Sequence, residues 1–189
     1  SAVRLDFSSA VNFTDIKDFE SKFCRIIQMG FGKAGFESSS QNAGDLFEDL
    51  NLWLRKQPEE SIVLLIDGYD SPLISVLQNC HLFLQVRMIL ADFYSVIKSR
   101  EPIWRFFLLS GVTKLIQSGI FGDLNICTDL SSIPKYGALL GFTDEELDIY
   151  FGRRLEAAAA ALSMPQEDLR ESLRDWYGGY CFEPTLRHH

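Results

Sequence analysis

A continuous apolar run in the middle of the chain constrains the fold more than any other feature. Residues 62–66 read Ile-Val-Leu-Leu-Ile and are followed by Asp67 and Gly68. A strand with one face in water alternates apolar and polar residues, whereas a short unbroken aliphatic run is typical of a strand covered on both faces of a parallel sheet. The run therefore predicts a parallel α/β fold.

The segments on either side of this run predict the other elements of such a fold. Apolar and polar residues alternate over residues 3–7, which predicts a strand. Residues 104–109 predict another core strand. Apolar residues recur at helical spacing in 16–27, 43–54 and 82–98. A helix between two strands makes a βαβ unit the default connection.

Composition and charge exclude several classes of protein. With 189 residues, 47% of them hydrophobic, the chain can form one core and a small appendage. A net charge of −8 argues against a nucleic-acid binder that relies on an overall basic field. No apolar run approaches the roughly 20 residues of a membrane span. The four cysteines (Cys24, Cys80, Cys127 and Cys181) are widely spaced, which indicates free thiols. We expect a soluble, cytoplasmic protein that binds no membrane.

The pattern changes to helices alone in the last quarter of the chain. Residues 143–146 form the pattern of a helix-capping box, and Ser163 with Gln166 predicts a second one, with Pro165 in the first turn. We therefore expect an α/β core over residues 1–140 and a helical lid over 141–187. His188 and His189 are interpreted as the remnant of a purification tag.

Asp67 is the first candidate functional residue. An apolar strand that ends in aspartate has the form of a Walker B segment, whose carboxylate holds Mg²⁺ through water beside a nucleotide. Aspartates at strand ends also stabilise turns, so the pattern by itself leaves both roles open.

The glycine-rich segment at residues 30–35 is not expected to bind phosphate. Ile27 stands where a P-loop needs its first glycine, and Ala34 stands where it needs a magnesium-binding hydroxyl. The segment also follows a helix, whereas a P-loop follows a strand.

Five ordered segments resemble the predicted AAA-ATPase-like family, P-loop proteins that often precede a restriction-endonuclease-like nuclease domain. Residues 65–73, L-I-D-G-Y-D-S-P-L, resemble the family's L-I-D-E-Y-D-x-P-L. The other segments are residues 109–114, 120–129, 141–147 and 176–182. The resemblance implies a P-loop NTPase-like sheet with a further strand near residues 125–130. It also implies ATPase activity, with ATP and Mg²⁺ as cofactors. It also implies that Asp67 holds Mg²⁺ through water, that Ser110 is a polar sensor, and that Asp70 lies beside the nucleotide.

Two departures from the family pattern bear on activity. The resemblance implies a Walker A loop upstream of the strand at residues 3–7, and this sequence starts after that point. The glutamate that would polarise the attacking water is Gly68 here, and glycine cannot act as a base. Asp70 is then either a turn-capping carboxylate or a substitute base.

Two functions follow as expectations. The first is a partial or degenerate AAA-ATPase-like domain that does not hydrolyse ATP by itself and acts as an interaction or regulatory module. The alternative is an ATP- and Mg²⁺-binding ATPase domain of a longer protein whose Walker A loop lies upstream. A sheet without its Walker A strand exposes an edge, which favours self-association or a protein partner. Nucleic acid would be reached only through a neighbouring domain.

Overall fold

The computed structural model describes residues 1–113, 126–131 and 133–178. Contacts between residues divide the chain into two compact units, Ser1–Cys127 and Thr128–His189. The boundary expected at residue 140 lies inside the second unit.

The first unit contains a three-stranded parallel sheet in the order β1-β2-β3. The strands are β1 (Ala2–Asp6), β2 (Ile62–Asp67) and β3 (Trp104–Leu109). In the middle strand, Leu64 is in register with Val3 on one side and Phe107 on the other. The predicted α/β class and the predicted parallel sheet are confirmed.

Four helices accompany the sheet in this unit: α1 (Ile16–Gly32), α2 (Ala43–Leu54), α3 (Ser71–Ile74) and α4 (Cys80–Lys98). Hydrogen bonds to side chains fix the N-termini of α1 and α2. The Asp15 carboxylate accepts hydrogen bonds from the first-turn amides of α1, and the Asn42 side chain accepts one from the amide of Asp45 in α2. The three helices predicted here are confirmed, and α1 continues five residues beyond its predicted end at Ile27 to Gly32.

The core lies between the sheet and helices α1, α2 and α4. The sheet contributes buried aliphatic side chains: Val3, Leu5, Ile62, Leu64 and Ile66. The ring of Phe23 on α1 contacts the rings of Phe7, Phe19, Phe47 and Phe93, with centroids 4.8 to 6.3 Å apart. Pairs of this kind add about 0.5–1.5 kcal/mol beyond the area they bury. This aromatic cluster therefore joins three helices to the end of β1.

The opposite face of the sheet carries apolar side chains that stay accessible. Val63 and Leu65 of β2 are half-buried, and their register partners Phe106 and Leu108 on β3 are 53% and 42% exposed. Among the described residues, the predicted cover on both faces of the 62–66 strand and the predicted core position of β3 are therefore not seen. The reason is that α1, α2 and α4 all pack on the other face.

The free edge of β3 has no described neighbour. Over the residues given in the structure, β3 pairs with β2 alone. The further strand expected near residues 125–130 is absent from 126–130, and Asn125 lies outside the described residues. The exposed strand edge expected from the sequence stays a prediction.

Helix α4 is the one described helix that is long and apolar enough to cross a membrane by length and composition alone. Its side chains at Val86, Leu90, Phe93 and Ile97 lie in the core of the first unit. Core helices of soluble proteins meet the same criteria, and this packing is consistent with a soluble protein.

The second unit is built on α5 (Asp144–Leu162) and α6 (Gln166–Tyr177). The capping box predicted at Thr143 and Glu146 is confirmed. The second predicted box is wrong, because Ser163 ends α5 in a left-handed conformation (φ 53°). The N-cap of α6 is Pro165, and no side chain caps this helix. A small core of Leu155, Ala159 and Leu169 holds the two helices together.

Two glycines of α1 provide a test of this packing. A Cβ added at Gly30 would collide with the side chain of Leu5 and lie 3.0 Å from the carbonyl of Arg4, whereas one added at Gly32 meets open space. We expect Gly30→Ala to lower the free energy of unfolding by about 1–2 kcal/mol through overpacking. Gly32→Ala should be neutral or stabilise the protein by up to about 1 kcal/mol. Urea denaturation measures both, and equal effects of the two substitutions would contradict this packing.

Candidate functional site

Each of the three parallel strands brings a polar side chain to the same edge of the sheet. Strand β1 ends at Asp6, β2 ends at Asp67, and Ser110 directly follows β3. Asp6 and Asp67 are register partners, and the Ser110 amide donates to the carbonyl of Ile66 at 2.9 Å. Open parallel sheets bind ligands at the carboxyl ends of their strands.

The structure brings together two of the residues that the sequence singled out. The hydroxyl of Ser110 donates to Oδ1 of Asp67 at 2.6 Å. The other carboxylate oxygen lies 3.9 Å from the guanidinium of Arg4, whose side chain is 72% exposed, so this ion pair contributes little. The Asp67 side chain itself is 55% exposed. It therefore retains accessible surface for a further ligand.

Asp6 is a residue at this edge that sequence reasoning missed. Its carboxylate accepts hydrogen bonds from the backbone amide of Ser8 at 3.0 Å and from the Ser8 hydroxyl. These contacts shape the turn after β1. An aspartate at the end of a predicted strand was the available signal, the same one that identified Asp67.

Gly68 occupies a backbone position that other residues fit poorly. Its φ is +63°, and an added Cβ would lie 2.8 Å from the Ser71 hydroxyl and 2.9 Å from the Ser8 amide. Both the left-handed conformation and the crowding oppose a side chain here. The glutamate expected from the family pattern therefore cannot be accommodated at this position without movement of the turn after β1.

Asp70 is the one fully buried polar or charged residue in the part of the chain that the structure describes. It stands at the N-terminus of α3 but makes no capping hydrogen bond there. Its carboxylate instead accepts hydrogen bonds from the Val112 amide at 3.0 Å and from the amide and hydroxyl of Thr113, both at 2.6 Å. The side chain of Asp70 therefore does not cap α3, and its burial disfavours direct contact with a nucleotide. The assignment of Asp70 to the nucleotide site stays a prediction.

The glycine-rich segment at residues 30–35 lies away from this edge. Helix α1 runs back along β1, since Phe23 contacts Phe7 after the strand, and Gly30, two turns later, approaches Leu5 within it. The segment therefore comprises the last three residues of α1 and the three that follow them, at the end of the helix that points away from Asp67.

Comparison with known proteins identifies the family. The family model described as Predicted AAA-ATPase matches residues 1–121, which is well over half of the chain. The chain belongs to this predicted AAA-ATPase family. The matched region of the AAA-ATPase-like chain contains the strand-end residues Asp67 and Ser110.

A curated relative adds information on length. An uncharacterized protein in the vnfD 5′ region of Azotobacter chroococcum mcd 1 is 30% identical over 178 residues. The alignment covers 94% of this chain and 32% of the relative, so the chain spans about a third of the length of that protein. No solved structure gives a significant match.

The geometry at Gly68 leads to a prediction about restoring the family's glutamate. We expect Gly68→Glu to lower the free energy of unfolding by about 1–3 kcal/mol, because the position is left-handed and crowded. It should also produce no ATP hydrolysis in this chain. Gly44→Ala is the control, since an added Cβ there meets only the Asn42 side chain at 3.5 Å. Chemical denaturation and a phosphate-release assay measure the two effects. A stable Gly68→Glu protein that hydrolyses ATP would contradict the prediction.

Proposed function

We propose that this domain supplies the acidic half of an ATP–Mg²⁺ site in a longer AAA-ATPase-like protein and does not hydrolyse ATP by itself. The observation that carries the proposal is the half-exposed carboxylate of Asp67 at the end of the middle parallel strand, hydrogen-bonded to Ser110 of the neighbouring strand. Membership of the predicted AAA-ATPase family supports it.

The chemistry of these side chains fits a magnesium site of the Walker B kind. Mg²⁺ prefers oxygen ligands and keeps several of its waters, so one carboxylate at the site suffices when phosphate oxygens supply other ligands. Asp67 would hold the ion through water. Ser110 would orient the Asp67 carboxylate and act as the polar sensor of the bound nucleotide. When bound, Mg²⁺ would neutralise part of the negative charge of the phosphates.

The phosphate-binding half of the site would come from another part of the longer protein. The family resemblance implies a Walker A strand, loop and helix upstream of β1. The free edge of β3 can take such a strand, and the face bearing Phe106 and Leu108 can take the helix. Gly68 carries no side chain that could polarise the attacking water, so we expect hydrolysis to need groups from elsewhere in the longer protein.

A second candidate function is a non-catalytic interaction module. The specific observation in its favour is the sheet face with exposed Phe106 and Leu108, together with the edge of β3, which has no partner strand among the described residues, because unpaired strand edges bind other strands. In this case a second copy of the domain occupies the edge, and nucleotide is not needed.

Titration calorimetry with ATP tests the first proposal, on this chain and on a polypeptide extended upstream through the native gene. We expect binding that depends on Mg²⁺ and that Asp67→Ala weakens at least about tenfold, which corresponds to about 1.4 kcal/mol. Asp92→Ala, an exposed carboxylate of α4, is the matched control and should bind as the wild type does. Absence of Mg²⁺-dependent binding in both polypeptides, or binding unaffected by Asp67→Ala, would overturn the proposal.

Light scattering tests the second candidate on the same chain. If a second copy covers the edge, the wild type should be a dimer, and Phe106→Ser with Leu108→Ser should shift it to a monomer because the apolar contact area is lost. Leu52→Ser is the control, since Leu52 is a similarly exposed apolar residue on α2. A wild-type chain that stays monomeric at high concentration would exclude the dimer.

A further inference from the structure

A buried polar cluster ties the loop after β3 to the segment after β2. On the β2 side lie Asp70, which is fully buried, and Tyr69, which is nearly so. On the β3 side lies the loop formed by residues 110–113. The Asp70 carboxylate accepts from two backbone amides of this loop and from the Thr113 hydroxyl. We call this set of contacts the Asp70 clamp.

Tyr69 holds the two ends of the same loop. Its backbone amide donates to the carbonyl of Ser110 at 3.1 Å, and its phenol hydroxyl donates to the carbonyl of Thr113. The Ser110 amide, in turn, donates to Ile66 in β2. Every residue of the loop except Gly111 is therefore hydrogen-bonded to β2 or to the residues that follow it.

Gly111 shows how closely the two segments approach. An added Cβ there would lie 2.5 Å from the ring of Tyr69 and 2.6 Å from Oδ1 of Asp70. Real Cβ atoms essentially never make contacts this short. The clamp thus leaves space only for a glycine at this position.

Hydrogen bonds, rather than side-chain packing, fix the position of this loop. All four of its residues are exposed, and the side chain of Val112 is 87% exposed. Hydrogen bonds to a charged acceptor are stronger than those between neutral groups, and a buried carboxylate that lost them would carry a large desolvation cost. The Asp70 carboxylate therefore holds the loop in one place.

We infer that Asp70 is a positioning residue for the Asp67–Ser110 pair. The clamp fixes residues 110–113, and the fixed loop holds the Ser110 hydroxyl 2.6 Å from the Asp67 carboxylate. Asp70 acts through the loop and contacts neither Mg²⁺ nor nucleotide. The consequence for ligand binding rests on the proposed ATP–Mg²⁺ site, whereas the positioning of Ser110 does not.

Substitutions at Thr113 test the inference with the least risk to folding, because this residue is exposed. Thr113→Val removes the hydroxyl that donates to Asp70, whereas Thr113→Ser keeps it. We expect Thr113→Val to speed amide hydrogen exchange at residues 112 and 113 at least about tenfold, the change that corresponds to about 1.4 kcal/mol of lost protection. It should also shift the carboxyl ¹³C resonance of Asp67. Thr113→Ser should match the wild type in both measurements.

Asp70→Asn alters the acceptor of the clamp, and Gly111→Ala adds a Cβ that collides with Tyr69 and Asp70. Both should also shift the carboxyl ¹³C resonance of Asp67. These measurements use the protein without nucleotide, so they judge the clamp independently of the proposed function. An unchanged Asp67 resonance in Thr113→Val, or equal behaviour of Thr113→Val and Thr113→Ser, would overturn the inference. If the clamp variants behave as expected while neither this chain nor the upstream-extended polypeptide shows Mg²⁺-dependent ATP binding, the proposed function fails and the positioning role stands.

Discussion

The parallel pairing of β2 with a strand on each side is the constraint on which the rest of this structure depends. Because all three strands run in one direction, Asp6, Asp67 and the residue after β3 reach the same edge. Parallel connection also requires a long crossover between strands, which helices α1, α2 and α4 provide. The aromatic cluster around Phe23 then fastens these helices to the sheet.

The described part of the sheet is built asymmetrically, and this asymmetry connects the fold to both proposed functions. One face is closed by three helices, whereas the other keeps Phe106 and Leu108 accessible. A parallel sheet is usually covered on both faces, because its strands carry apolar side chains on both. The domain therefore has a surface that another segment of a longer protein, or another copy, can complete. Both candidate functions use that surface, and they differ in what occupies it.

Two glycines determine how closely the loops at the strand ends approach each other. Gly68 lets the chain turn in a left-handed conformation beside Ser8, and Gly111 lets the next loop contact Tyr69 and Asp70. This close approach buries Asp70 and brings Ser110 to Asp67. It also leaves no room for a glutamate at position 68. The same geometry therefore brings Ser110 to Asp67 and argues against a glutamate base at position 68.

The sequence by itself determined the α/β class, the three strands, the main helices and the place of Asp67 at the end of a strand, because apolar periodicity and a strand-final aspartate are local signals. Only the tertiary structure decided that Phe106 and Leu108 of β3 are exposed, since exposure depends on which elements cover a face. It also decided the role of Asp70. This residue precedes α3 in the sequence, a position that predicts a capping role for its side chain. Its hydrogen-bond partners instead lie more than 40 residues away in the loop after β3. Contacts between residues so distant in sequence leave no periodic signal, so only folding reveals them.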